Sequence, residues 1–188
     1  MKTLKNTLIL TFLLCLTSNL FQAQNNSYWI HQDNVKPSMV GEYEKIANEF
    51  IAACKKHNAQ TSWLTATTSD FRYMYVTPIE NMAELDKDPY TEMAKAMGDD
   101  FGDMFNRFNK CYDSHGSYII TMDEELTYMP DGISQTQEGQ NYRKYIYLYY
   151  TPENHAKLKE GMKAVKEMFA SKESKEHYRI YRSGFDIM

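Results

Sequence analysis

The chain has 188 residues, 21 basic and 25 acidic side chains, a net charge of −4 and a mean hydropathy of −0.62. This is enough for one domain of ordinary size. The basic residues are scattered among acidic ones and form no cationic cluster that would neutralise nucleic-acid phosphates or bind an anionic membrane surface. We therefore expect neither nucleic acid nor membrane as a partner of the mature chain.

The first 23 residues have the three parts of a signal peptide. Lys2 and Lys5 give a positive start, residues 8–16 are largely apolar, and a polar stretch leads to Ala23. The apolar run is too short to cross a hydrocarbon core of about 30 Å. We predict cleavage after Ala23 and export to the periplasm or the medium. The leader holds two lysines and no acid, so 19 basic and 25 acidic residues remain, a net charge of −6.

The mature chain opens with a predicted β-α-β unit. Residues 28–31 have the aromatic and aliphatic character of a strand, and Pro37 precedes a helix. Apolar residues from Tyr43 to Cys54 recur at helical spacing. A second strand is predicted over residues 62–67.

The second predicted unit begins with a strand over residues 71–76. Residues 77–80 read Thr-Pro-Ile-Glu, which predicts a capping box at the start of a helix. The helical region then extends over residues 78–112 and must break near Pro89 and near Gly98.

A strand over residues 117–122 closes the second unit, and a polar, turn-rich loop follows over residues 130–141. The third unit repeats the pattern of the first. It has a strand over residues 145–150, a helix started by Pro152 and a final strand over residues 178–182.

In this order of elements the chain resembles the dimeric α/β-barrel superfamily, a ferredoxin-like group that includes antibiotic-biosynthesis monooxygenases and NIPSNAP-like proteins. The resemblance implies one α+β domain over residues 24–188. Its antiparallel sheet would have about six strands in three β-α-β units, with helices on one face and a dimer or ligand cavity on the other. The β-α-β-β-α-β part would extend to about residue 129, and the extra unit would cover residues 142–188. Members that degrade haem need a histidine on the second helix, which this chain lacks.

Because side chains alternate along a strand, the predicted strands have two faces. We assign the aliphatic set to the side covered by helices: Ile30, Leu64, Ala66, Met74, Val76, Ile146, Leu148 and Ile180. The opposite set consists of aromatic and polar residues: Trp29, His31, Asp33, Trp63, Thr65, Tyr73, Tyr75, Tyr145, Tyr147, Tyr149, Arg179 and Tyr181. Such side chains suit a half-wet surface. This face either packs against a second copy or a covering loop, or binds a small apolar or aromatic ligand.

His31 and Asp33 are the catalytic candidates. They share one strand face and would form an oriented acid/base pair, with Arg179 holding an anion. A lone strand histidine is more often structural, which leaves catalysis open. The other histidines lie in separate segments without a ligand spacing, and no glycine-rich phosphate loop occurs. We predict no metal and no cofactor.

Cys54 and Cys111 are the two cysteines outside the leader. In an exported protein they can form a disulfide, and two buried thiols are the alternative. We expect the first and third strands of a ferredoxin-like arrangement to be parallel, so that the helices that follow them run the same way and end at the same edge of the sheet. The two cysteines, which lie near those ends, would then meet.

Three functions remain open from the sequence. The leading one is an exported protein that binds a small ligand or associates with itself through the aromatic face. The second is a cofactor-independent, monooxygenase-like enzyme, which the resemblance implies. The third is a purely structural or interaction protein of the cell envelope.

Overall fold

The computed structural model describes residues 26–132, 139 and 141–185. The predicted signal peptide and most of the predicted loop over residues 130–141 lie outside this part of the chain, so cleavage at Ala23 stays a prediction. Within it, no helix combines the length and apolar character that a membrane span needs.

The described chain forms five strands and four helices. The strands are β1 (Ser27–Val35), β2 (Leu64–Thr67), β3 (Arg72–Ile79), β4 (Tyr112–Met122) and β5 (Tyr181–Phe185). The helices are α1 (Val40–Lys56), α2 (Thr91–Met97), α3 (Asp99–Phe108) and α4 (His155–Ser171). Short 3-10 turns cover Pro37–Met39, Met82–Asp86 and Pro152–Asn154.

All five strands pair antiparallel in one sheet of order β2-β3-β1-β4-β5. The helix α1 connects β1 to β2, and α2 with α3 connects β3 to β4, which is the ferredoxin-like arrangement. The predicted α+β class is therefore confirmed, with five strands instead of about six. Because β1 is central, its side chains meet residues from both neighbouring strands.

The strand predicted over residues 145–150 is absent from this sheet. Every residue of the stretch is exposed, up to 84% for Tyr149. Tyrosine alternating with Ile and Leu favours a strand, but a strand forms only where a neighbouring strand pairs with it. Residues 119–122 of β4 pair with β5 instead.

The capping box predicted at residues 77–80 is wrong, since β3 continues through Pro78 to Ile79. The strand β2 pairs with β3 only as far as Val76. Beyond that residue β3 is an edge, where a proline without an N–H is tolerated. Helical structure starts at Thr91, after the predicted break at Pro89, and the predicted break at Gly98 separates α2 from α3.

The main core lies between the helices and the tyrosine-bearing face of the sheet. Its buried members are Val35, Tyr43, Ile46, Tyr73, Met104, Phe108 and Cys111. The ring of Tyr73 on β3 is 4.7 Å from that of Tyr43 on α1. Our assignment of the aliphatic face to the helices is thus wrong. A tyrosine ring packs like any apolar group once its hydroxyl has a partner, and the Tyr73 hydroxyl donates to Glu44 at 2.7 Å.

The aliphatic face carries a smaller cluster of Tyr28, Ile30 and Met74. Tyr181 of β5 packs over it, with its ring 5.9 Å from that of Tyr28. Residues 145–147 lie near the same face, where the side chain of Tyr147 forms a hydrogen bond with Arg72. The hydrogen bond to Asp70 is the main cause of a raised pKa at Arg72, and the contact with Tyr147 adds to it.

The expected disulfide does not form, and both cysteines are free and buried. The strands β1 and β3 are antiparallel, so α1 and α3 run in opposite directions. Arg107 near the end of α3 reaches Glu42 in the first turn of α1 at 3.0 Å. Cys111 follows that end of α3, whereas Cys54 lies about 18 Å further along α1 than Glu42, at about 1.5 Å per residue. The two thiols therefore sit at opposite ends of α1.

Candidate functional site

Polar residues of the helix-covered face converge on β1. The imidazole of His31 has Nε2 at 3.2 Å from Asp33 Oδ1 and Nδ1 at 3.0 Å from Ser117 Oγ of β4. His115 of β4 lies opposite Asp33 in the strand register, and its ring is 5.5 Å from that of His31. One donor atom from each of His31, Asp33 and His115 lies within 4.8 Å of the other two. We call these three residues the histidine cluster.

A chain of two tyrosines fixes the orientation of the Asp33 carboxylate. Asp33 is 5% exposed, and its Oδ2 accepts a hydrogen bond from the Tyr43 hydroxyl at 2.5 Å. The Tyr75 hydroxyl is 2.7 Å from that of Tyr43. Because Tyr43 gives its proton to Asp33, Tyr75 is the donor in this second bond. The chain from Tyr75 through Tyr43 fixes the orientation of the carboxylate.

The other carboxylate oxygen, Asp33 Oδ1, is buried and accepts no hydrogen bond. His31 Nε2 is near it but lies outside the direction that a hydrogen bond requires, so the pair is an electrostatic contact only. A buried carboxylate oxygen with an open coordination position is unusual in a folded protein.

Burial keeps both supporting phenols neutral. It is the largest cause of a strongly raised pKa at Tyr43, with the neighbouring Tyr75 and the hydrogen bond to Asp33 adding to it. Burial also raises the pKa of Tyr75 to about 12. Both hydroxyl groups therefore remain hydrogen-bond donors throughout the physiological pH range.

The histidine cluster is open to solvent on one side. The side chain of His31 is 30% exposed, and His115 and Ser117 are exposed. The rings of Trp29 and Tyr75 lie 6.0 and 6.4 Å from that of His31. The histidine cluster is therefore a polar centre next to aromatic side chains, and its carboxylate, Asp33, is buried.

The structure divides the predicted ligand-binding residues between the two faces of the sheet. On the helix-covered face are Trp29, His31, Trp63, Tyr73 and Tyr75, and on the opposite side are Tyr145, Tyr147, Tyr149 and Tyr181. Tyr73 is a core residue, and Trp63 packs on Phe50 of α1 with ring centroids 6.0 Å apart. His31 belongs to the histidine cluster, Trp29 and Tyr75 have rings near its imidazole, and Tyr73 lies opposite Asp33 in the strand register.

Arg179 lies near Tyr145, whose pKa is raised mainly by burial and lowered by the charge of Arg179. Tyr145 in turn lies near Tyr118 on the aliphatic face. This position does not support the role predicted for Arg179, an anion holder for the His31 and Asp33 pair, and that role stays a prediction.

Sequence reasoning missed His115 and Tyr43. The histidines were judged by their spacing along the chain, whereas His115 reaches the site through the register between β1 and β4. The available signal was the matching alternation of His31 with Asp33 and of His115 with Ser117, two polar pairs on strands that a ferredoxin-like sheet places side by side.

A cavity of about 340 Å³ lies elsewhere, beside the N-terminal end of the predicted loop. It is lined by Glu124, Thr127, Tyr128, Met129, Pro130 and Lys166. These residues do not bring together an imidazole and a buried carboxylate, so the histidine cluster is the better candidate site despite its open shape.

No protein-family model matches the chain, and no curated protein matches it in sequence. Several solved structures resemble it, and three of them are described here. A conserved protein from Methanosarcina mazei Go1 is 16% identical, with 53% of this chain and 95% of that one covered and a TM-score of 0.37. A protein from Agrobacterium tumefaciens is 16% identical, with 50% and 89% covered and a TM-score of 0.35. An antibiotic biosynthesis monooxygenase is 13% identical, with 52% and 96% covered and a TM-score of 0.35.

These likenesses concern the fold alone, over about half of this chain. They assign no reaction, ligand or partner to this protein.

Proposed function

We propose that the chain is an exported small-molecule-binding protein whose ligand contacts the histidine cluster. The observation that carries this proposal is the buried, oriented carboxylate of Asp33 beside the half-buried imidazole of His31. A buried charge lowers stability unless the fold supports it, and such groups concentrate at functional sites. Export is supported by the leader over residues 1–23.

The surroundings of His31 favour a flat, partly apolar ligand with one hydrogen-bonding group. The aromatic rings of Trp29 on β1 and Tyr75 on β3 both lie close to the imidazole. Aromatic pairs add about 0.5–1.5 kcal/mol beyond the area they bury. The exposed edge of His31 supplies the polar contact that orients such a ligand.

The test is a titration of the mature protein with small phenols and aromatic carboxylates, followed by NMR. We expect shifts at His31, and a dissociation constant about 2- to 12-fold higher in Trp29→Ala. The matched control is Tyr149→Ala, an exposed aromatic on the other side of the sheet, which should leave binding unchanged. Shifts confined to residues outside the helix-covered face would refute this location.

The alternative to ligand binding alone is catalysis at the histidine cluster, and the position of Asp33 beside His31 favours it. A carboxylate next to an imidazole orients it for proton transfer, and removing such a group lowers rates by about 10²- to 10⁴-fold. If ligands of the phenol class are oxidised by molecular oxygen, His31→Gln should abolish oxygen uptake while Tyr149→Ala retains it. Binding without turnover would leave the protein a binder.

Self-association is the second candidate function, favoured by a different region. Residues 142–150, which we call the tyrosine segment, include seven large apolar side chains exposed by 48–84%. Taking about 200 Å² for a large side chain, they expose roughly 900 Å², close to one partner's share of a standard interface. Monomers rarely leave so large an apolar surface in water. We propose that a second copy of the chain covers it.

Light scattering and analytical ultracentrifugation test this proposal. The mature protein should be a dimer, and Ile146→Ser with Leu148→Ser should shift it to monomer, since both side chains face solvent in one copy. Met82→Ser, with 53% exposure on a distant turn, is the matched control and should stay dimeric. A monomer at high protein concentration would exclude self-association through the tyrosine segment.

A further inference from the structure

We infer that the histidine cluster binds one divalent transition-metal ion through His31, Asp33 and His115. The inference rests on the proposed function, since it names an inorganic component of the same site. It is carried by the ligand geometry, by the unpaired oxygen of Asp33 and by the groups that orient these side chains.

The spacing of the donor atoms suits a single ion. Two ligand atoms that each lie about 2.0–2.1 Å from a metal are about 3.4 Å apart in tetrahedral geometry and about 2.9 Å apart in octahedral geometry. His31 Nε2 and Asp33 Oδ1 are 3.2 Å apart, between these values. His115 is exposed, and its donor atom lies within 4.8 Å of those of His31 and Asp33.

The absence of a hydrogen-bond donor for Asp33 Oδ1 favours a bound cation at this oxygen. When the proton of His31 is on Nδ1, where Ser117 Oγ accepts it, Nε2 carries a lone pair beside this oxygen that does not point along the line between the two atoms. Two lone pairs at 3.2 Å repel each other, whereas a metal ion between them would coordinate both. The ion would also neutralise a carboxylate that is almost completely buried.

The surrounding hydrogen bonds resemble those that support metal ligands. Ser117 fixes the ring orientation of His31, and Tyr43 holds the second oxygen of Asp33. Such partners orient the ligands and raise metal affinity by about 10- to 100-fold. Two imidazoles and one carboxylate favour zinc, iron, cobalt or nickel over calcium and magnesium. Three protein ligands leave positions open on the solvent side for water or for a small molecule.

The experiment is a titration of tag-free, EDTA-treated mature protein with Co²⁺ and Zn²⁺, followed by cobalt absorption and calorimetry. We expect one ion per chain. His115→Ala should weaken binding by at least about 10-fold, and Tyr43→Phe by about 10- to 100-fold. His115 is exposed, so its removal leaves the core intact. His155→Ala, an exposed histidine on α4, is the matched control and should bind the ion as the wild type does.

No binding, or binding that His115→Ala leaves unchanged, would overturn the inference. Repeating the phenol and carboxylate titration in EDTA separates the two proposals. If the protein binds the organic ligand but no metal ion, only the metal site is refuted. If it binds the metal ion but none of the organic ligands, only the proposed function is refuted.

Discussion

Two helices of equal length occupy contrasting positions in this molecule. The helices α1 and α4 each have 17 residues and an apolar stripe. The helix α1 buries Tyr43, Ile46 and Cys54, whereas α4 buries no residue. An amphipathic pattern therefore indicates that a helix forms, but the neighbouring elements decide whether its stripe is buried.

The difference follows from what flanks each helix. The strands before and after α1 both belong to the sheet, so the helix lies flat on the tyrosine-bearing face. The helix α4 follows the tyrosine segment, which is outside the sheet, and precedes the short strand β5. Its firmest apolar contact is at one end, where the ring of Phe169 lies 5.6 Å from Tyr128 and 5.2 Å from Tyr178.

The largest effect should come from truncating the buried stripe of α1. Ile46 is fully buried, so Ile46→Ala should lower the free energy of unfolding by about 2–5 kcal/mol. The matched substitution Val165→Ala in α4 removes a half-buried side chain and should cost less than about 1 kcal/mol. Urea denaturation of the two variants measures both values. Similar losses would mean that α4 is packed as firmly as α1, and would end the contrast between the two helices.

The next effect concerns the polar contact between α1 and the sheet. Tyr43→Phe removes the hydroxyl that donates to Asp33 and leaves a buried carboxylate oxygen unpaired. We expect a loss of about 1–3 kcal/mol in the free energy of unfolding. Tyr149→Phe in the exposed tyrosine segment removes the same atom and should cost nothing measurable. An unchanged stability for Tyr43→Phe would show that water replaces the hydroxyl, and that the carboxylate is not held by it.

The same contrast explains how far the sequence could predict this structure. The helices α1 and α4, the break at Gly98 and the class of fold follow from periodicity, glycine and element order, which are local signals. The covered face of the sheet does not, because a tyrosine suits either a wet surface or a core in which its hydroxyl is bonded. Tyr73 and Tyr75 were placed on the wrong side for that reason.

The sequence predicts His31 and Asp33 of the candidate site but not His115 or Tyr43. His31 and Asp33 share a strand face by alternation alone. The contribution of His115 depends on strand register, and that of Tyr43 on the packing of α1, and both are set by tertiary contacts. Arg179 was assigned to this site because the third unit was expected to continue the same sheet face, but the strand that should begin that unit does not form.

Unfolding measured at alkaline pH tests how much the buried tyrosines of the sheet contribute to stability. Burial raises the pKa values of Tyr73 and Tyr75 to about 12, from about 10 in the unfolded chain. The fold thus favours the neutral phenols. The stability they contribute is complete below pH 10 and is lost as the pH rises from 10 to 12. Denaturant unfolding at several pH values should show this fall, with a shallower slope in Tyr73→Phe/Tyr75→Phe. Equal slopes for the variant and the wild type would rule out these two residues as its source.

The smallest effect should come from the ion pairs that hold α4. Glu125, after β4, contacts the Nζ atoms of Lys159 and Lys163 at 2.7 and 2.5 Å. Their hydrogen bonds lower the pKa of Glu125 to about 2, so the contribution of the pairs is present above the usual carboxyl pKa of about 4.3 and is lost as the pH falls toward 2. All three side chains are exposed, and salt weakens such pairs.

Glu125→Gln should therefore speed amide hydrogen exchange in α4 slightly at low ionic strength and not at high ionic strength, with no change in α1. Glu92→Gln breaks a comparable exposed pair, with Lys95 at 2.7 Å within α2, and should leave exchange in α4 unaltered. Faster exchange in α1 as well would mean that the two helices unfold together. Since α4 has no buried residue of its own, the expected outcome is that it opens separately, at a lower free energy than the core around Ile46.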